Sequence, residues 1–147
     1  MVIKLIQNDV QKDIEILVTY PQKNKFIERI VTYLYSMDTQ ISSYLNNELH
    51  LVNASDINYI EFIDRKTIIN CDENNFITNE PLYQIYEKLK NAGFIQINKY
   101  CILNLNKLKN IKRLPNSHLE AILKNGACLY VTRKYLNNLK NKLKEMR

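Results

Sequence analysis

Two adjacent pairs of side chains stand out for the chemistry they could do together. Asn98-Lys99 sits in a short polar link between the apolar runs Phe94–Ile97 and Tyr100–Leu103, which makes it a loop tip. Asn can pair with adenine in a major groove, and Lys can donate to guanine O6/N7 or to phosphate. Arg133-Lys134 follows Thr132, where Leu136, Leu139 and Leu143 open an amphipathic helical pattern. Cations in a first helical turn oppose the helix dipole. Two of them there fit better if a phosphate also sits at the free N–H groups. Arg65-Lys66, in a charged turn between two strand-like runs, offers a third basic loop. Lys112-Arg113, with Lys107 and Lys109 nearby, offers a more diffuse attraction for phosphate or simply solubility.

Catalytic chemistry finds less material. Glu61 belongs to a strand-like run, and Asp64 and Asp72 fall in turns where Asp is ordinary. His118 has no Ser/Asp arrangement of triad type around it. With only Gly93 and Gly126, the chain has no phosphate-cradling glycine motif. Cys71, Cys101 and Cys128 are far apart, and His50 and His118 stand alone, so no spacing suits a metal. The expectation is no enzyme, no cofactor, no metal and no small-molecule substrate. The cysteines read as small buried apolar residues in a reducing compartment. Most of the ten tyrosines fall at stripe or strand positions and are expected in the core.

A chain of 147 residues, 46% hydrophobic and 24% charged, reads as one ordinary globular domain, or one domain with a short appendage, able to bury a core of its own. Its net charge of +6 is unevenly spread: residues 1–90 hold nine basic and thirteen acidic residues, residues 91–147 twelve and two. That asymmetry suggests a polyanion-facing surface on the basic C-terminal third, against the alternative of a solvated lysine-rich face. No window is apolar for the roughly 18 residues of a membrane span. Met1-Val2-Ile3 runs into Lys4 and Gln7-Asn8-Asp9, unlike a signal peptide, so a cytoplasmic protein is expected.

The elements that must position these groups are mostly short strands. Residues 2–6 and 13–20 read as strands, and Phe26, Ile30, Val31 and Leu34 form the stripe of a helix over about 22–36. Ile41–Tyr44 and Glu48–Val52 flank a tight turn at Asn46-Asn47. Ile57–Ile63 and Thr67–Cys71 form a hairpin with a charged tip, followed by Phe76-Ile77. A helix over 80–92 has Asn79 as its cap, Pro81 in its first turn, Leu82, Ile85, Tyr86 and Leu89 as its stripe, and Gly93 as its exit. Beyond it lie Phe94–Ile97, Tyr100–Leu103, Ile111–Leu114, Leu119–Leu123 and Leu129–Val131, then a helix over 133–145.

Five segments of this run resemble the LytTR DNA-binding domain family, in the family's order. Asp56-Ile57-Asn58-Tyr59-Ile60-Glu61 is similar to its opening strand, and Pro81–Leu89 to its helix. Phe94 to Asn104 is similar to its signature, with Gln96, Asn98 and Tyr100 in place of the usual Arg, His or Ser, and Ser. Leu119–Gly126 and Val131–Leu136 complete the series. The resemblance implies a mainly β fold with helices, α+β overall: an elongated LytTR-type multi-stranded domain over residues 51–147. A strand–helix extension over residues 1–50, open to dimer or partner contact, would precede it. It also implies loop side chains entering successive major grooves of double-stranded DNA, with Lys99 at the signature's basic position and Arg133-Lys134 at the family's basic pair. Arg65 and Lys66 would sit in a loop that family members use for base contacts.

About 50 residues before the domain are too few for a receiver, so the chain resembles the stand-alone regulators of the family. Those bind direct repeats as dimers, and some are restrained by a small membrane protein. A homodimer on DNA and such an inhibitor are therefore the partners implied. The rival from another class is an adaptor that binds a membrane or signalling partner, with weak non-specific DNA affinity. A basic RNA-binding module ranks last, because the chain lacks RRM signature strands and a Gly-x-x-Gly clamp.

Overall fold

Tight turns at residues that tolerate positive φ set the strand pairings. In the computed structural model, which describes residues 1–115 and 118–146, Asn46 and Asn47 take φ 52° and 66°. Two consecutive left-handed residues match the twist of the strands they join, here β1 (Gln40–Leu45) and β2 (Glu48–Asn53). Asp64 and Arg65, at φ 50° and 64°, do the same for β3 (Ile57–Ile63) and β4 (Lys66–Cys71). β5 (Asn75–Thr78) returns along β4, and β6 (Phe94–Asn98) and β7 (Cys101–Asn104) form a third hairpin. Together they make a seven-stranded antiparallel sheet in the order β2-β1-β5-β4-β3-β7-β6. β8 (Leu108–Arg113), β9 (Leu119–Leu123) and β10 (Cys128–Val131) make a second sheet in the order β10-β9-β8.

Alternation along β6 and β7 divides the core in two. Phe94 and Ile102 face one side, where Ile41, Val52, Ile57, Ile60 and Ile69 meet Leu82, Ile85 and Leu89 of helix α2 (Leu82–Leu89). Ile95, Ile97, Cys101 and Leu103 face the other, against Ala121, Leu123, Leu129 and Val131 of the small sheet and Leu139 of helix α3 (Arg133–Met146). Each such aliphatic side chain contributes about 1.5–3 kcal/mol when taken out of water. β6 and β7, covered on both faces, are therefore the anchor for the loops at their ends.

Several expectations are corrected. Residues 2–6 and 13–20 form no strand, and the chain pairs with no neighbour until helix α1 (Lys25–Asp38), capped by Asn24 Oδ1 accepting from Ile27 N at 3.0 Å. The extension is thus an irregular segment followed by a helix. The expected boundary after residue 50 cuts through β2, which pairs along its length with β1, so residues 40–53 belong to the sheet. On α1 the buried residues are Thr32 and Ser36, while Phe26 is half exposed. Thr32 goes under because its methyl meets the bare backbone of Gly93, where a Cβ would stand only 2.8 Å away.

Pro81, not Asn79, stands at the cap of α2, and Thr78 Oγ1 accepts from Glu80 N just upstream. β8 starts at Leu108, and Tyr100 lies in the loop before β7 rather than in a strand. None of the ten tyrosines is fully buried: their hydroxyls need water, and most sit on outer faces. Burial pushes the thiol of Cys101 up to about 12 and that of Cys71 to about 11. Cys128, expected inside, is exposed. No described helix is long and apolar enough to cross a membrane.

Candidate nucleic-acid interface

Backbone hydrogen bonds gather the three basic loops at one end of the structure. Phe62 N, near the end of β3, donates to Tyr100 O at 2.8 Å, tying the Asp64-Arg65 turn to the β6–β7 loop. Thr132 N donates to Ile97 O at 3.0 Å, which sets the first turn of α3 beside the same loop. Arg65-Lys66, Asn98-Lys99 and Arg133-Lys134 therefore lie along one border, on turns and a helix start rather than on flexible linkers. Lys112-Arg113 closes β8, where Arg113 pairs with Leu119 and Leu119 with Val131, so that row of the small sheet runs out to the start of α3.

All these cations are exposed, and among the described residues none has a carboxylate within salt-bridge distance. The ion pairs that do form lie elsewhere, such as Lys23–Glu28 at 2.7 Å and Lys90–Glu87 at 2.8 Å. Lys99 Nζ rests 5.5 Å from the centre of the Tyr100 ring and Lys134 Nζ 5.6 Å from that of Tyr135. Rings on this side hold the ammonium heads near the surface without neutralising them.

Asn98 is placed differently from the expectation of a free amide. Its Nδ2 donates to Tyr130 O at 2.7 Å, and its Oδ1 accepts from Tyr100 N at 2.8 Å. Gln96 Nε2 adds donations to Asn98 O at 3.1 Å and Lys99 O at 3.4 Å. The β6–β7 loop is thus laced to itself and to β10, with the Lys99 side chain left free at its tip. A groove of about 360 Å³ opens beside it, lined by Phe62, Ile63, Asn98, Tyr100, Leu129 and Tyr130.

Sequence reasoning missed Tyr130 and His118, whose hydroxyl and Nδ1 lie 2.5 Å apart on this border. The outward position of Tyr130 was legible in the alternation Cys128-Leu129-Tyr130-Val131. The approach of His118 was not, since it depends on how β9 folds back. Among the described residues no cluster of His, Cys, Asp and Glu could hold a metal ion.

The comparisons with known proteins agree with this architecture. The family model of the LytTr DNA-binding domain matches residues 47–144. A solved LytTr DNA-binding domain from Bacillus cereus superposes with a TM-score of 0.67 at 23% identity, covering 71% of this chain and 96% of that one. The sensory transduction protein LytT of Bacillus anthracis is 29% identical over 100 residues, and the chain spans only 41% of its length. A Staphylococcus aureus protein named as an uncharacterised HTH-type transcriptional regulator is 24% identical over 145 residues, 97% of this chain and 98% of that protein. These relatives and the matched domain support a DNA-binding regulator. With the match running from β2 through α3, the chain belongs to the LytTR DNA-binding domain family.

Proposed function

We propose that this protein is a cytoplasmic, sequence-specific regulator of transcription that reads double-stranded DNA through loop side chains in successive major grooves, as a dimer on direct repeats. The observation that supports the reading best is the row of unpaired cations held on three hydrogen-bonded loops at one border. Phosphate contacts position a protein on DNA and base contacts specify the site. Lys99, at the free tip of a braced loop, is suited to a base edge. Arg65 and Lys66 occupy a turn whose outline is fixed by two positive-φ residues. Arg133 and Lys134, beside the free N–H groups of α3, suit a phosphate, and Lys112 and Arg113 supply further phosphate attraction. Asn98 serves as a latch that holds Lys99 in place. No step of this function calls for a cofactor or a small-molecule substrate.

Fluorescence anisotropy with a duplex from the gene's own upstream region, against a scrambled duplex and across a salt series, tests the reading. A regulator prefers the first duplex and loses affinity with a slope near −0.9 per phosphate contacted. Lys99→Ala should cost about 1–3 kcal/mol on the preferred duplex if the ammonium meets a base. Equal affinity for both duplexes at physiological salt refutes sequence-specific regulation and favours the adaptor reading.

A further inference from the structure

Two apolar features of this chain lack what the other offers. The first is the segment ahead of α1. From Asp13 to Tyr20 its side chains alternate: Ile14, Ile16, Val18 and Tyr20 share one side, and Asp13, Glu15, Leu17 and Thr19 the other. That is the period of a half-buried strand, yet Ile14 is 87% exposed and the segment pairs with no strand. The second is the far end of the large sheet. The face that carries Ile95, Ile97 and Leu103 is covered at the β6–β7 end by the small sheet and α3. At the β2–β1–β5 end the same face is bare: Leu49 and Leu51 of β2 are 61% and 63% exposed, beside Tyr44 and Ile77 on the paired strands.

β2 is also an open edge. Its sequence Glu48-Leu49-His50-Leu51-Val52-Asn53 has neither lysine nor proline, the residues that usually protect such an edge from pairing. At the opposite edge, β6 is occupied by its approach to α3 and by the Thr132–Ile97 hydrogen bond. The chain as a whole exposes 10797 Å², about 2,900 Å² more than a compact monomer of 17.5 kDa would. A standard interface takes about 800 Å² from each partner, so the excess is large enough for one. The alignment with the Staphylococcus aureus relative, at 97% of this chain, runs through this segment as well as the domain.

We infer that the protein is a dimer by strand exchange: residues 13–20 of each copy add to the β2 edge of the other, setting Ile14, Ile16, Val18 and Tyr20 beside Leu49 and Leu51 as cross-strand neighbours on the same face. The added strand satisfies the free backbone groups of β2, and its apolar side packs against the flanks of Leu49 and Leu51. The exchange is reciprocal, so one contact type closes a two-fold dimer, and the new outer edge carries Asp13 and Glu15 and stops at Pro21. It deepens the dimer part of the proposed function, and the sheet end involved is not the border that carries the basic loops.

Sedimentation of the full chain without DNA, over a wide range of micromolar concentration, tests the inference apart from any DNA reading. The expected result is a dimer that Ile14→Asp/Ile16→Asp and Leu49→Lys/Leu51→Lys each weaken by about 10–100-fold, as the loss of these cross-strand apolar pairs in both copies would. All four positions are exposed within one chain, so thermal melts should show both variants still folded. A monomer at every concentration overturns the inference, and if Ile14→Asp/Ile16→Asp also lowers the melting temperature, the segment docks on its own chain. A dimer indifferent to either double substitution overturns it too, and places the contact elsewhere.

Discussion

Removing the Asn98 amide separates holding from reading. In Asn98→Ala the Tyr130 carbonyl loses its donor and the Tyr100 N–H its acceptor, two hydrogen bonds of 2.7 and 2.8 Å. Each such bond contributes about 0.5–1.5 kcal/mol net. The site is only half-buried, so water recovers part of this, and about 1–2 kcal/mol is the expected loss. For a chain of this size that lowers the melting temperature by about 2–8 °C. Because the same bonds hold the loop that presents Lys99, affinity for the preferred duplex should fall by about 5–30-fold. Asn98→Asp is the informative companion. It keeps the acceptor for Tyr100 N but sets a carboxylate against the Tyr130 carbonyl, so it should lose stability and affinity together. Calorimetric melts and anisotropy titrations on the same samples give both readouts. An Asn98→Ala protein that melts with the wild type yet no longer discriminates one base pair would refute the latch and restore Asn98 as a base reader.

Other consequences are open to equally direct checks. Lys112→Ala/Arg113→Ala should weaken preferred and scrambled duplexes alike and flatten the salt dependence of binding; a loss confined to the preferred duplex would mean these residues read bases. Gly93→Ala combines a φ of 90° with a methyl 2.8 Å from Thr32 Cγ2, whereas Gly126→Ala has a φ of 93° and open space. The first should therefore destabilise by clearly more than the roughly 1 kcal/mol expected of the second, as read by urea titration. Thiol labelling near pH 8 should be fastest at the exposed cysteine, Cys128. Cys71, half-buried with its thiol pushed up to about 11, should react slowly, and Cys101, buried and pushed up to about 12, only on unfolding.

What was legible in the sequence was legible where local chemistry and global packing ask for the same residue. Asn46-Asn47 and Gly93 mark their turns because few residues accept positive φ at low cost, whereas Arg65, at φ 64°, carries no such signal and its turn was legible only as a charged tip. β6 and β7 read as apolar runs because both their faces are covered. The basic loops were recognisable one by one. Their convergence was not, since it rests on the Phe62–Tyr100 and Thr132–Ile97 backbone bonds, which no side-chain pattern encodes. The employment of the Asn98 amide was hidden for the same reason: its partner carbonyl is thirty-two residues away.

The N-terminal segment inverts the usual failure of pattern reading. The alternation from Asp13 to Tyr20 is genuine, and it read as a strand, yet the single chain supplies no ladder for it. Periodicity reports which side chains ought to share a buried face. It does not report whether the neighbour that buries them lies in the same molecule. An unpaired amphipathic strand and an unprotected sheet edge in one chain are a matched pair of debts, each about the length of the other, and a second copy settles both with the same residues. On that reasoning the expectation of strands in the extension and their absence from the single chain are compatible. The strand forms when two copies meet, and dimerisation and extension of the sheet are one event.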